Sequence, residues 1–261
     1  MENRYSLFDN HCHTQFAYCA AGITVDAAVE KAKEMGLDYI AFTEHAGHLY
    51  FTPADCWKSI DDPSFMKKSN MSPRISRYLS SIEKHFPYAR AGFEVDLDRS
   101  GKINLLPEDR EKAWIVIGSI HVLFTREESF SRSTQDTESV FMKANEALCM
   151  QGIDVLAHPF RFFSRKGLKI PSHLFRPLAE ILKSCGVAAE LNFHSGNVSD
   201  PAFFEACLEE GVRISPGTDS HSMEQVGQLG MHAEFLKQMG VRAEEFSRIS
   251  FRPGKGKERL K

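Results

Sequence analysis

Short apolar runs alternate with helical patterns along almost the whole chain, and this alternation most restricts how the chain can fold. Apolar runs of strand length occur at 5–8, 38–43, 89–95, 113–118, 154–157, 187–191 and 212–215. Apolar residues at helical spacing occur at 24–36, 74–86, 137–151, 172–185, 200–210 and 223–239. Strands that alternate with helices form parallel sheets, and eight such units close into a barrel. Seven units predict an α/β fold that is a distorted or incomplete barrel.

A potential metal ligand accompanies the end of each of these strands. The residues are His11, His13, His45, Glu94, His121, His158, Asn192, His194, Asp219 and His221. In barrels of this type the chemistry lies on the loops after the carboxyl ends of the strands, so the fold would bring these side chains to one mouth. His11 and His13 are two residues apart, and on an extended chain they point to the same side.

Each of these residues has an ordinary structural explanation when it is taken singly. A histidine after a strand is usually a surface or capping residue, and Asp219 could cap the helix that follows it. Seven coincidences at seven strand ends are not credible, so the set predicts metal binding. Imidazoles with a few carboxylates suit zinc, iron or manganese better than calcium or magnesium. One ion needs about three or four protein ligands, so the set implies two to three divalent ions.

The mechanism predicted from this set is hydrolysis assisted by paired metals. Glu94 has two oxygens and can bridge two ions. Two metals about 3.5–4 Å apart stabilise the attacking and leaving oxygens in a displacement at phosphorus, and they lower the pKa of a bridging water. Hydrolysis of a phosphate ester is therefore the first hypothesis, and metal-assisted hydrolysis of an amide or lactone is the second.

Composition argues against several partners and locations. The net charge of −3 disfavours nucleic acid as a bulk electrostatic partner. No apolar run approaches the roughly 20 residues that span a bilayer, and the N-terminus does not resemble a signal peptide, so we expect no membrane association and a cytoplasmic location. Six cysteines in 261 residues are too few for a disulfide framework. The oligomeric state is not predicted.

No stretch is rich enough in linker residues to divide the chain, so residues 1–261 are predicted to form a single domain. Residues 46–73 combine prolines, aspartates and serines with an exposed-looking Trp57, and they are predicted to be irregular. A loop of this length inside a domain is usually a lid or a binding loop. We therefore expect a lid-like insertion at about 46–88.

Six motifs in this order resemble those of the PHP (polymerase and histidinol phosphatase) family. They are D-x-H-x-H at 9–13, TEH at 43–45, GFEVD at 92–96, GSIH at 118–121, AHP at 157–159 and GTDSH at 217–221. The ordered set is specific, and it looks most like the histidinol-phosphate phosphatase branch. The resemblance implies a distorted (β/α)7 TIM-like barrel that holds three metal ions and hydrolyses a small phosphomonoester, with L-histidinol phosphate as the named candidate.

Carried onto this sequence, the resemblance implies three sets of ligands. The first ion would bind His11, His13, Glu94 and Asp219, the second, bridged by Glu94, would bind His121 and His158, and the third would bind His45, His221 and Cys19. Glu94 and Asp219 are thus the predicted catalytic carboxylates. The phosphatase branch commonly has histidine at the position of Cys19. A thiolate is a competent ligand for zinc or iron; the alternative is a buried thiol with a weak or absent third ion.

Fewer sequence features indicate which residues contact the substrate. Arg161 is placed either to hold a phosphate oxygen with its planar guanidinium or to be an ordinary solvated arginine. Asn192 and His194 face the mouth if the strand prediction is right, and His194 could protonate a leaving alkoxide or be a structural residue. Glu44 is left out of the site, because on an extended chain it points away from His45.

Two other functions stay open at this point. The metals could act on another phosphoester, such as a nucleotide, a phosphodiester or a phosphotyrosine protein, because the loops choose the substrate. The chain could also be a non-catalytic binding module whose metals only stabilise the fold. The intact set of ligands argues against the second of these.

Overall fold

The structure is a computed structural model and describes residues 5–68, 74–123, 134–194 and 199–254. Within these ranges the strands form one parallel sheet in the order β1-β2-β3-β4-β5-β6-β7. The strands are β1 Asp9–Cys12, β2 Ile40–His45, β3 Ala89–Asp96, β4 Ile115–Ser119, β5 Val155–Leu156, β6 Ala188–Leu191 and β7 Ile214–Pro216.

Helices connect successive strands and cover the outside of the sheet. They are α1 Val25–Glu34, α2 Ala46–Tyr50, α3 Lys58–Asp61, α4 Phe65–Lys68, α5 Arg74–Glu83, α6 Pro107–Arg110, α7 Thr134–Met150, α8 Arg161–Arg165, α9 Phe175–Cys185, α10 Pro201–Glu210, α11 Gly230–Gln238 and α12 Ala243–Ile249, with a 3-10 turn at Ser172–Leu174. None of these helices is both long enough and apolar enough to cross a bilayer.

The chain just beyond β7 closes the sheet against β1. The backbone N–H of His13 donates to the carbonyl oxygen of Ser220 at 3.1 Å, and that of Asp219 donates to the carbonyl oxygen of His11 at 2.7 Å. The result is a nearly closed barrel of seven parallel strands with interleaved helices. The distorted seven-stranded TIM-like barrel predicted from the sequence is confirmed.

The barrel interior divides into an apolar end and a polar end. A small apolar cluster fills part of the barrel interior, and most of its members lie near the amino ends of the strands. The members are Ala41, Ile115, Ile117, Val155, Ala157, Ala188 and Phe251. Side chains alternate between the two faces of a strand, so the face that carries Ala41 also carries His45, and the face that carries Ala188 also carries Glu190. The predicted ligands therefore collect at the carboxyl end, above a packed floor.

Local sequence signals account for the ends of several helices. The hydroxyl of Thr24 accepts a hydrogen bond from Ala27 N at 3.2 Å and starts α1, as predicted. Asp200 caps α10 in the same way through Ala202 N at 2.9 Å. Gly211 ends α10 with a φ of 76°, a left-handed conformation that glycine adopts without a steric penalty.

The prediction that residues 46–73 are irregular is wrong for much of this stretch. Residues 46–68 are not irregular, because they form α2, α3 and α4; Leu49 and Tyr50 are buried, and Tyr50 Oη donates to Asp109 Oδ2 at 2.9 Å. Residues 69–73 of the predicted insertion lie outside the described residues. After α11 the chain forms helix α12, whose Phe246 packs against Phe8 with ring centroids 6.2 Å apart, and Ser250 then pairs with Ile214 of β7. In the insertion, long-range packing decides a structure that local composition does not reveal.

Candidate metal centre

Glu94, on β3, is buried at the carboxyl end of the barrel among imidazoles from several strands. Its Oε2 lies 2.7 Å from His45 Nδ1, 3.5 Å from His13 Nε2 and 3.6 Å from His11 Nε2. One carboxylate oxygen thus faces three imidazole nitrogens.

The other oxygen of Glu94 faces two further imidazoles. Glu94 Oε1 lies 3.2 Å from His158 Nε2 and 3.7 Å from His121 Nε2. A carboxylate whose two oxygens face separate sets of nitrogens has the geometry needed to bridge two cations.

Asp219 contributes a second carboxylate from the loop after β7. Its Oδ1 lies 3.1 Å from His13 Nε2, 3.4 Å from His11 Nε2 and 3.5 Å from His221 Nδ1. The backbone of Asp219 has a φ of 52°, a left-handed conformation that is uncommon outside glycine. Such conformations persist where the surrounding structure holds them, often at functional sites.

Three ligand-type atoms in this cluster are buried and form no hydrogen bond of suitable geometry among the described residues. They are His11 Nε2, His45 Nδ1 and Glu94 Oε2. Leaving buried polar atoms unpaired costs free energy, and these three converge on one another. Imidazole nitrogens and carboxylate oxygens are ligands of zinc, iron and manganese. The donor set therefore fits divalent metal ions.

The charges of the cluster are strongly coupled. Burial alone would raise the pKa of Glu94, but the neighbouring imidazoles of His45 and His11 hold it well below its usual value. Burial likewise opposes ionisation of Asp219, yet His11, with His13 and Arg161, keeps its pKa low. In return the bonds to Asp219 and Glu44, with the charge of Glu94, outweigh burial and raise the pKa of His13 to about 9. The ionised carboxylates attract positive charge, which bound divalent cations would supply in place of protons.

Additional buried carboxylates hold three of the imidazoles through Nδ1. The pairs are His11 with Glu190 Oε1 at 2.7 Å, His13 with Glu44 Oε1 at 2.9 Å and His121 with Asp96 Oδ1 at 2.9 Å. An ionised carboxylate only accepts hydrogen bonds, so Nδ1 carries a proton, and Nε2 is the nitrogen whose proton a metal can replace. Each of these rings then offers to a metal the nitrogen that faces Glu94.

Glu44, which the sequence analysis leaves out of the site, orients one of the proposed ligands. Strand alternation does place its side chain on the face opposite to that of His45, but residues just beyond β1 lie on that side. Glu44 Oε2 accepts hydrogen bonds from Thr14 N at 3.0 Å and Thr14 Oγ1 at 2.7 Å, while Oε1 holds His13. Burial opposes ionisation of Glu44, but the bond to His13 lowers its pKa to about 2, so Glu44 is ionised when it orients the ring.

The residues predicted for a third ion are distributed over two overlapping sets. One ligand atom from each of His13, His45 and His221 lies within 4.8 Å of the others, and the same holds for Cys19, His45 and His48. No such set among the described residues contains both Cys19 and His221. Cys19 is exposed at the edge of the cluster.

His48, which the sequence did not single out, is buried beside His45 with their ring centroids 4.6 Å apart. Tyr18 N donates to His48 Nδ1 at 3.1 Å, so the neutral ring carries its proton on Nε2. Burial lowers the pKa of His48 to about 3, which keeps the ring neutral at neutral pH.

The residues predicted for substrate binding lie next to the carboxylates of the cluster. Arg161 begins α8, is 8% exposed and donates through Nη1 to Asp219 Oδ2. The ring of His194 stacks on that of His221, with centroids 4.6 Å apart. Asn192 is fully buried, and its Oδ1 accepts a hydrogen bond from His194 N at 2.8 Å, which fixes the turn after β6.

A family model described as the PHP domain matches residues 9–194, which is more than half of the chain. The chain belongs to the PHP family. It is a metal-dependent phosphoesterase of that family, and its buried histidines and carboxylates form the kind of multi-metal site that is typical of PHP proteins. The resemblance seen in the six sequence motifs is thereby confirmed.

Two solved structures share the fold. A candidate histidinol phosphatase from Listeria monocytogenes is 16% identical, with a TM-score of 0.56 over 85% of this chain and 97% of its own. A chain from an archaeal ribonuclease P, determined with mature tRNA, is 15% identical, with a TM-score of 0.54 over 93% of this chain and 87% of its own. At these identities the likenesses bear on the fold alone. No curated protein matches this chain at a significant level.

Proposed function

We propose that this PHP protein hydrolyses a small phosphomonoester, with L-histidinol phosphate as the first candidate substrate. The observation that carries the proposal is the position of Glu94, whose two oxygens face separate sets of imidazoles. Zinc, iron or manganese ions bound there would polarise the phosphoryl group and activate water for attack at phosphorus. The bond from phosphorus to the leaving oxygen breaks, and the products are inorganic phosphate and an alcohol.

We further propose nine side chains as the metal ligands. They are His11, His13, Cys19, His45, Glu94, His121, His158, Asp219 and His221. Eight of them are supported by the short distances around Glu94 and Asp219, together with the carboxylates that direct three of the rings, and Cys19 is supported by its position beside His45 and His48. Glu94 and Asp219 would act in catalysis by holding the ions and balancing their charge.

Arg161 is proposed to bind the phosphoryl oxygens. Its guanidinium is buried beside Asp219, and its Nε has no hydrogen-bond partner among the described residues. A buried donor without a partner is costly, and an oxygen of a bound phosphate would satisfy it. The planar fork of arginine suits phosphate, so Arg161 would orient the ester against the cluster.

Asn192 and His194 stay weaker proposals for substrate contact. Burial and the nearby positive charge of Arg161 lower the pKa of His194, which disfavours the protonated form that a general acid needs. Asn192 Oδ1 accepts a hydrogen bond from the backbone N–H of His194. This bond favours a role in the turn after β6 over direct contact with the substrate.

Hydrolysis of a panel of esters tests the proposed function, measured as release of phosphate from the monoesters and release of the alcohol from the diester. The panel contains L-histidinol phosphate, a nucleoside monophosphate, a phosphodiester and a phosphotyrosine peptide. We expect release from the small monoesters that is lost on chelation and restored by zinc, iron or manganese, because the water is activated by the metals. The metal-loaded His13→Ala variant is the control for contaminating phosphatases.

Each alternative function predicts a different result with this panel. Activity on the phosphodiester or the phosphotyrosine peptide alone would keep the hydrolysis and overturn the substrate. Bound metal and loss of thermal stability on chelation, with no hydrolysis of any ester, would favour a metal-stabilised binding module.

Replacing Cys19 by serine tests the thiol as a ligand. Desolvation and the negative charges of Glu44 and Glu94 raise the pKa of the Cys19 thiol to about 12, so a bound cation must displace its proton. In the cobalt(II) form we expect a sulfur-to-cobalt charge-transfer band in the near ultraviolet that Cys19→Ser abolishes. We also expect bound metal to fall from about three to about two ions per chain.

The matched control is Cys185→Ser, which changes a half-buried cysteine on α9. It should leave both the band and the metal content unchanged. A cobalt form of the native protein without this band would remove Cys19 from the proposed ligands.

A further inference from the structure

Trp57 is a large exposed aromatic residue that lies directly against the metal cluster. It is 43% exposed, although tryptophan usually buries most of its surface. Its ring contacts those of His45, His48 and His121, with centroids 5.8, 5.6 and 5.5 Å apart and interplanar angles of 62°, 83° and 68°. None of these imidazoles stacks flat on the indole.

The backbone under Trp57 is held tightly although its ring is exposed. The neighbouring side chains of Cys56 and Ile60 are buried, and Arg99 N donates to Ile60 O at 3.0 Å. A Cβ on Gly47 would lie 2.3 Å from the carbonyl oxygen of Cys56, so helix α2 packs directly against this segment. The indole is therefore exposed on a segment whose neighbouring residues are packed against the rest of the barrel.

The indole of Trp57 is exposed apolar surface directly beside a highly charged cluster. Val122, which follows His121 directly in the sequence, is also exposed, with 48% of its surface accessible. Exposed apolar surface next to a polar site is typical of a binding surface. A phosphoester whose phosphoryl group reaches the cluster would place its leaving group near the indole.

We propose that Trp57 determines substrate specificity by stacking against a flat ring on the leaving group of the phosphoester. This inference rests on the proposed phosphoesterase function and adds a substrate class to it. Flat rings gain affinity from offset or edge-to-face contacts with an indole beyond the gain from burial alone. A saturated ring of the same size buries a similar apolar area but lacks these contacts. A difference in affinity between the two kinds of ligand therefore measures stacking and not apolar burial alone.

Binding of two matched, non-hydrolysable phosphonates to the metal-loaded protein tests this proposal. Benzylphosphonate carries a flat ring, and cyclohexylmethylphosphonate carries a saturated ring of the same size on the same linkage. We expect the native protein to bind benzylphosphonate about three- to tenfold more tightly. In Trp57→Leu this preference should disappear, while Trp57→Phe should keep part of it.

Titration calorimetry gives the dissociation constants, and elemental analysis checks that each variant keeps its metals. The control is Trp114→Phe, which changes the other tryptophan, packed against Tyr39 at 5.1 Å between ring centroids. An unchanged ratio in Trp57→Leu, or no binding of either phosphonate, would overturn the proposal. Because binding needs no turnover, failure of the proposed hydrolysis shows separately, as absence of hydrolysis of every ester of the panel.

Discussion

Replacing Glu94 by glutamine is expected to lower metal-dependent phosphate release by at least about 10²-fold, because residues that only support a ligand already cost 10- to 100-fold when they are changed. The amide keeps the size of the side chain, but it removes the negative charge and one of the two acceptor oxygens. In the native protein those oxygens lie 2.7 Å from His45 Nδ1 and 3.2 Å from His158 Nε2. Glutamine cannot present an anionic oxygen to both sides, so bound metal should fall as well.

Elemental analysis and phosphate release measured on the same preparations check this expectation. The matched control is Glu30→Gln, which changes an exposed glutamate on α1 that pairs with Lys33 at 2.8 Å. It should leave activity and metal content unchanged, because exposed ion pairs of this kind contribute little. Full metal content together with full activity in Glu94→Gln would contradict the bridging role.

The barrel could be predicted from sequence because its strands are short apolar runs separated by helices. Strand β4, Ile115–Ser119, is buried throughout and was visible as a continuous apolar segment. Strand β1 was displaced in the prediction, since the observed strand is Asp9–Cys12 and not the apolar run before it. Asp9 and Asn10 are buried there because Thr218 and Ser215, from the other end of the chain, bond to their side chains. The hydrophobicity of residues 5–12 alone does not indicate these distant partners.

The proposed ligands could be predicted for the same reason that the barrel could: most of them lie at or just beyond the carboxyl ends of strands that share one edge. The carboxylates that orient them could not be found in this way. Glu190 lies within β6, and its partner His11 is on β1, so their pairing depends on closure of the barrel. One signal was available, because an acid inside the buried apolar run Ala188–Leu191 needs a partner.

The second large effect is expected from Gly217→Ala. Gly217 is not one of the proposed metal ligands. A Cβ at position 217 would lie 2.0 Å from Glu190 Oε1 and 2.7 Å from His11 Cβ. Glu190 cannot yield freely, because Oε1 holds His11 Nδ1 at 2.7 Å and Oε2 accepts from His158 N at 2.6 Å. The added methyl group must therefore displace the carboxylate that orients two of the proposed ligands.

We expect Gly217→Ala to lower the free energy of unfolding by about 1–3 kcal/mol through overpacking. We also expect it to weaken metal binding by about 10- to 100-fold, the range for losing a carboxylate that orients a ligand. Urea unfolding of the metal-free protein and competition with a metal chelator measure the two effects separately. The control is Gly230→Ala at the start of α11, where a Cβ meets nothing within 4 Å and alanine should stabilise the helix slightly. If Gly217→Ala matched this control in both measurements, Glu190 would not be needed for metal binding. The affinity for metal would then depend on the direct ligands alone.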